Sequence, residues 1–480
     1  MKLKCTAKIS IAVAAFCFCV ENSSIAQDWP MLNKCKERTS WASEETVLLP
    51  PLEIKTKMSL KSNGTHIGDL ALVDNILSVA AQNTPNTLEV FDIQTGDTLW
   101  TFQIPNTQAA MNFTCAQTDS LIFAGGQLGL GLYALDRETG EQKWHKPIGP
   151  LFTKNIILDA PNAYILGDSL YCLRITDGAT VWSKKIQLQA TPAVDESQVY
   201  IVGNLKIQIY DKNDGTLVWE RATSQSSSGA IAIDELNFYT FSNDTMFSFN
   251  KSTREVNWFY HRPGVTLQIG NQNGLAISDS KLCFNIRSNA DKNGQIVTLN
   301  KATGAFLWER TFIGEFVFAP VIANGVVYVV PFPEKTLYGY NIENGAQLFF
   351  DNSEDYRYQP IVVNHRLYAI AGPKIVVFGN VETSVEATNN ELPHEFELMQ
   401  NYPNPFNPVT TIKFNLPMDE FVTLKIYDKL GHEIAVLLNE KRAHGLHSIN
   451  FDGRDFASGL YFYKITAGKF SSTKKFLLLK

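Results

Sequence analysis

One thirteen-residue pattern, met seven times, limits what this chain can fold into: "LEVFDIQTGDTLW" (88–100), "LYALDRETGEQKW" (132–144), "LYCLRITDGATVW" (170–182), "IQIYDKNDGTLVW" (207–219), "MFSFNKSTREVNW" (246–258), "IVTLNKATGAFLW" (296–308) and "LYGYNIENGAQLF" (337–349). A polar residue opens the turn at Asp92, Asp136, Arg174, Asp211, Asn250, Asn300 or Asn341. An aromatic falls eight residues later every time: Trp100, Trp144, Trp182, Trp219, Trp258, Trp308 and Phe349. Successive aromatics are 44, 38, 37, 39, 50 and 41 residues apart, so the period is near forty while the turn-to-aromatic stretch keeps its length. Short strands repeating at that period build a radial β array rather than one large sandwich.

Each unit reads as four strands. In the fourth, "TPAVD" is strand A, "QVYIVG" strand B, "IQIYD" strand C and "TLVWERA" strand D, alternating in period two between turn residues. An Asp or Asn opening the C–D turn bonds backbone two residues on, and glycine supplies the positive φ of a tight hairpin. The aromatic then fills space between neighbouring units. After the seventh copy, "YQPIVVNHRLYAIAGPKIVVFGN" (358–380) provides strands A to C of one more, and "PLEIKTKMSLK" (51–61) stands where its strand D is missing. The expectation is an all-β chain with an eight-bladed β-propeller over 51–380, closed by residues 52–60, with seven blades as the alternative.

This D-x-x-T-G turn with its tryptophan resembles the WD40-like repeat of pyrroloquinoline-quinone-type propellers, and "DWPMLNKCKERTSW" resembles the approach segment that precedes the ring in that family. The segment is placed at 27–50. The resemblance implies fold more than activity, because such propellers include quinone-dependent dehydrogenases and cofactor-free assembly scaffolds. The dehydrogenases carry neighbouring cysteines under the cofactor and insertions bearing calcium ligands. Here no two cysteines beyond the leader are adjacent, and blades near forty residues leave little room for insertions. The expectation is a non-catalytic binding or scaffold protein without cofactor, metal or catalytic residues, with a quinone-dependent dehydrogenase as the alternative.

At 381 the pattern stops. "VETSVEATNNEL" has linker composition, assigned to 381–392. Beyond it about seven short strands broken by Gly and Pro suggest a small immunoglobulin-like β-sandwich over 393–480. "NYPNPFNPVTTIKFNLP" (401–417), "VTLKIYDKLGHEI" (422–434) and "GRDFASGLYFYKITAG" (453–468) resemble the type A C-terminal sorting domain of type IX secretion. That resemblance implies the type IX machinery as a partner and delivery to the cell surface or medium through periplasm and outer membrane.

The other end fits export too. Lys2, Lys4 and Lys8 precede an apolar run, and Ser24-Ile25-Ala26 comes after it, so 1–26 reads as a signal peptide cleaved between Ala26 and Gln27. No later apolar run is long enough for a transmembrane segment. Without the three lysines and one glutamate of the leader the chain holds 39 basic and 47 acidic residues, a formal charge of −8. An acidic body without a basic stripe gains nothing from counterion release, which excludes nucleic acid as the expected partner. Cys35, Cys115, Cys172 and Cys283 lack the spacing of a disulfide framework and read as buried free thiols.

Three lookalikes carry no chemistry. "GLGLYA" (129–134) satisfies a dinucleotide fingerprint, but the repeat register makes its last residues strand C of the second unit rather than the start of a helix. "DKNDG" (211–215) is a hairpin turn, since Ala222 stands where a calcium loop needs its Glu. His444 and His447 flank a turn without a third ligand. Recognition is expected instead in the B–C loops, which vary: "AQNTPNT" (81–87), "GGQLGLG" (125–131), "NIRSNADKNGQ" (285–295) and "PFPEK" (331–335). Asn289 and Asn293 offer adaptable hydrogen bonds and Phe332 a stiff apolar anchor. The partner of that face is a glycan, a peptide or another surface protein.

Overall fold

The computed structural model describes residues 34–381 and 396–478, apart from 62–65, 105–112, 127–130, 150–155, 187–191, 224–230, 268–273, 402–405 and single residues or pairs elsewhere. The leader with its Ala26–Gln27 junction, most of the linker and His444 lie outside the described residues. The chain forms two compact units that divide between Val381 and Glu382.

The first unit is a β-propeller. Its sheets contain four antiparallel strands in chain order, as in Gln198–Gly203 between Ala193–Val194 and Lys206–Asp211, with Leu217–Ala222 outermost. Eight sheets on this plan occur among the described residues, two of them with an added fifth strand and one completed by a strand from earlier in the chain. Their inner strands meet in a closed cycle: His66–Val73, Thr114–Gln117, Ile156–Asp159, Ala193–Val194, Ile231–Ile233, Leu275–Ile277, Val321–Ala323 and Tyr356–Val363, which touches the first again. The sheets are numbered blades 1 to 8 in that order. In the eighth, Leu52–Ser59 pairs antiparallel with Lys374–Asn380, Leu52 opposite Asn380, so an early strand completes the last blade. Joining chain start to chain end in one sheet removes the open edge that a linear array of blades would leave.

Inner strands such as "IAI" (231–233) and second strands such as "IVG" (201–203) are buried on both faces, which is why they read as continuous apolar runs. Outer strands alternate. A β-bulge recurs between strands C and D: Ile209 faces Trp219, but Tyr210 faces Leu217, so Val218 is left over. The same shift occurs in the other six blades that carry the full turn motif. A bulge swings the next side chain by half a pleat. It turns the aromatic toward the next blade and exposes the apolar residue before it: Leu99, Val181, Val218 and Leu348 are all more than 40% exposed.

The second unit is two antiparallel sheets around one core. Glu397–Leu398, Val409–Leu416 and Gly445–Asp452 form one sheet. Glu433–Arg442, Glu420–Tyr427, Gly459–Ala467 and Phe470–Leu478 form the other. Ile412 and Phe414 pack with Leu424, Ile465 and Phe476 between them. The "NYPNPFNP" stretch is stitched to this core: the Asn401 amide donates to the Tyr463 hydroxyl at 2.8 Å, and Phe406 sits edge-on to Phe451 and Phe476.

Candidate functional site

The seam between blades is built from the turn motif. Asp92 Oδ1 accepts the amides of Gln94 and Thr95, and Thr95 Oγ1 accepts that of Asp97. Asp136 and Asn300 repeat both bonds with Thr139 and Thr303. The turn thereby holds its glycine at φ between 68° and 76° in six blades. At Gly140, Gly178, Gly215, Gly304 and Gly345 a β-carbon would stand 2.4 to 2.7 Å from the tryptophan of the preceding blade. The absent side chain is therefore a socket for that ring. The indole then donates to the carbonyl of the second turn residue: Trp100 to Arg137, Trp144 to Ile175, Trp182 to Lys212, Trp258 to Lys301 and Trp308 to Ile342, at 2.8 to 3.0 Å.

Where that second residue is a cation, its side chain reaches back to the preceding blade. Arg137 meets Asp74 at 2.9 Å, Lys212 meets Asp159 at 2.5 Å, Lys251 meets Asp195 at 2.8 Å and Lys301 meets Asp234 at 3.0 Å. One motif thus supplies an aromatic plug, an indole hydrogen bond and an ion pair to one seam. The seam between blades 4 and 5 departs from this. Arg254 takes the glycine place at φ 65°, and Trp219 leans edge-on against Phe238 and Phe249 rather than seating in a socket.

Inside the ring the inner strands are already in use. Trp41–Ala42 pairs in parallel with Val321–Ala323, on the inner side of blade 7. The Ile322 amide donates to Ser40 O, and Gln359 of blade 8 donates to Ser40 Oγ at 3.1 Å. Arg38 is 4% exposed and reaches Ile231 O of blade 5 at 3.4 Å. Burial lowers its guanidinium to about 10 against a smaller opposing influence from Cys35. Residues 38–42 therefore touch inner strands of three blades. Glu45, 2% exposed, locks the exit by accepting the amides of Val47, Leu48 and His365 and facing His365 Nδ1 at 3.0 Å. Neither Arg38 nor Glu45 carries a sequence signal, because no local pattern announces that this segment enters the ring.

The residues expected on the B–C face are brought near one another in part. Asn293 Nδ2 donates to Asp291 at 3.0 Å and its Oδ1 accepts the Gly314 amide at 3.3 Å, so both ends of its amide serve the loop. Phe332 is half-buried against the core of blades 7, 8 and 1, its strand paired with Phe316–Val317. Asn289 is exposed, and its amide donates to Gly264 O. Parts of "AQNTPNT" and "GGQLGLG" lie outside the described residues.

Leu132–Asp136, after "GLG", is a strand, and Gly215 N returns to Asp211 O within a hairpin turn. His447 stacks on Phe414. Cys115, Cys172 and Cys283 are buried in three blades, and Cys35 is half-buried. Burial raises the thiols of Cys172 and Cys283 to about 11 and about 12, and that of Cys115 well above its usual value.

A family profile described as outer membrane protein assembly factor BamB matches residues 55–156, 167–290 and 287–355, and one described as secretion system C-terminal sorting domain matches 400–479. The outer membrane protein assembly factor BamB of Yersinia pestis is 24% identical over 371 residues, covering 68% of this chain and 90% of that protein. The crystal structure of BamB from Moraxella catarrhalis superposes with a TM-score of 0.55 at 19% identity, over 71% of this chain and 99% of that one. A europium-containing methanol dehydrogenase gives a TM-score of 0.59 at 11% identity, over 74% of this chain and 98% of that one. At these identities the two structures speak for the propeller fold alone.

Proposed function

Because the chain belongs, through its propeller, to the family of the outer membrane protein assembly factor BamB, we propose that it is a non-catalytic binding or scaffold protein. Its sorting domain carries it by type IX secretion to the cell surface or medium. The relatives are named for assembly at the outer membrane, and this chain takes the same ring past that membrane, so its partners are expected outside. One observation supports the reading: Arg38, Ser40 and Trp41–Ala42 lie against inner strands of the ring, bonded to blades 5, 7 and 8. A backbone segment and a buried guanidinium on the inner side of the ring leave less room there for a flat cofactor.

The test is direct. Purified mature protein incubated with pyrroloquinoline quinone and calcium is expected to retain no quinone after desalting and to reduce no acceptor dye with alcohols or sugars. A calcium-dependent visible spectrum with dye reduction would move the protein to the dehydrogenases.

A further inference from the structure

At five seams the repeat tryptophan gives its indole N–H to a turn carbonyl. Trp219, at the outer rim between blades 4 and 5, departs from this: its N–H meets no acceptor among the described residues and is not buried. Its strand, Leu217–Ala222, has no buried residue. Trp219 stands opposite Ile209 and Arg221 opposite Ile207, so both side chains point with those isoleucines toward blade 5. Across the seam Phe247 and Phe259 are a directly opposed pair on strands C and D of blade 5. Ring centres are 6.4 Å apart from Trp219 to Phe249, 5.8 Å from Phe249 to Phe247 and 6.3 Å from Phe247 to Phe259. Phe249 is the buried floor of this strip, and Phe259 is its open end, 64% exposed. The Arg221 guanidinium lies 5.1 Å over the centre of the Phe249 ring, exposed and without a carboxylate partner among the described residues.

Three chemical demands meet on this strip. The open faces of Phe247 and Phe259 carry the negative side of the ring quadrupole, which attracts the weakly positive C–H groups on one face of a sugar ring. An indole nitrogen can only donate, so Trp219 needs an acceptor oxygen. A guanidinium offers a planar fork of N–H groups that matches a carboxylate. Glu220 does not compete for it, because it lies on the other face of its strand, where Lys206 holds it at 3.1 Å. Asp244, at the end of the blade 5 ladder, is engaged by Thr245 and His261. The acidic body as a whole does not oppose an anion here, since exposed charges beyond about 8 Å are screened at physiological ionic strength.

We infer that this outer rim binds a polysaccharide of hexuronate sugars, with a sugar carboxylate on Arg221, a sugar oxygen on Trp219 Nε1 and C–H faces on Phe247 and Phe259. A sugar acid supplies all three groups on one ring; an acidic peptide has carboxylates and acceptors but lacks the flat C–H face. Past strand Val256–His261, on the blade 6 side, Tyr260 stacks at 6.4 Å on Phe306, itself 48% exposed. The aromatic surface therefore continues along the rim, which suits a chain of sugars rather than a single one. The inference rests on the binding reading above and extends it from a class of function to a class of ligand and a place.

The experiment uses the mature protein in calorimetric titrations with four probes: an oligogalacturonate decamer, its methyl ester, free galacturonic acid and a glutamate-rich peptide of similar charge. The decamer is expected to bind, and the methyl ester, the free acid and the peptide to bind at least tenfold more weakly. Arg221→Gln and Phe259→Ala, both at exposed positions, are each expected to weaken the decamer at least tenfold with the thermal midpoint unchanged. Trp219→Phe, which keeps a ring and removes the N–H, is expected to weaken it a few-fold. Arg174→Gln removes the same charge from the exposed turn of blade 3 and is expected to leave affinity as it was. No binding of the decamer, equal affinity in any of the three rim variants, or an equal loss in Arg174→Gln would overturn the site. Equal affinity for the methyl ester would overturn the carboxylate, equal affinity for the free acid the polymer, and equal affinity for the peptide the sugar. Quinone binding plays no part in these readouts, so failure here is distinguishable from failure of the non-catalytic reading.

Discussion

Gly304→Ala and Gly96→Ala make the same chemical change at the same place in two blades, yet the structure separates their consequences. Both glycines are left-handed, at φ 71° and 76°. Both alanines therefore carry a backbone strain of about 1–2 kcal/mol. At Gly96 nothing lies within 4 Å of the new methyl. At Gly304 it lands 2.4 Å from Cε3 of Trp258. The ring must leave, and with it goes the 2.9 Å indole bond to Lys301 O. That bond contributes about 1 kcal/mol. Losing part of the buried ring costs about 1–2 kcal/mol more. The totals are roughly 3–5 kcal/mol for Gly304→Ala against about 1–2 for Gly96→Ala. Thermal unfolding of the mature chain, monitored by tryptophan emission and near-ultraviolet circular dichroism, reads the difference. About 1 kcal/mol moves the midpoint of a fold this large by roughly 1–3 °C, so Gly304→Ala should fall at least twice as far. Equal shifts would refute the socket and reduce the glycine to a turn requirement.

Three other outcomes are expected. Native mature protein should titrate one thiol per chain with a disulfide reagent at pH 8 and all four after denaturation, because only Cys35 is not buried; two fast thiols would contradict the packing of blades 2, 3 and 6. Burial pushes the Asp195 carboxyl up, but Lys251, the Ser197 amide and the Tyr200 hydroxyl outweigh it and hold it below the usual range. The contribution of so depressed a group is complete above the unfolded value of about 3.9 and drains away as pH falls through the folded value, so Asp195→Asn should flatten the acid limb of a stability–pH curve and leave its neutral part lower. Removing 393–480 should leave a folded propeller held in the periplasm; normal amounts in the medium would assign the tail another task.

What the sequence disclosed and what it concealed divide along a physical line. Turn chemistry is local: an Asx side chain, a threonine and a glycine within five residues determine a hairpin, so the repeat was legible wherever it occurs. The incomplete eighth unit and the spare strand at 52–60 were legible for the same reason, since a missing strand is a gap in a count. The bulge was hidden, because the eight-residue offset is constant whether or not a residue is skipped; the exposed Leu99, Val181, Val218 and Leu348 betray it, and an exposed aliphatic is common on any surface. Asn293 looked available from sequence. That its amide is used by Asp291 and Gly314 depends on how one loop meets the next blade.

The same line separates the repeat from the departures from it. A tryptophan in its socket, an indole bond and an ion pair recur from seam to seam, so they describe stability and nothing about a partner. A substitution that breaks the seam loses those contributions. Arg254 is visible in "NKSTREVNW" as the absence of a glycine, while the edge-on placement of Trp219 against Phe238 and Phe249 depends on the next blade. Ser40 to Leu49 is the second departure. A segment outside the repeat is bonded to the inner strand of blade 7 and then to Asn324 and Asn380, which ties it to blades 7 and 8.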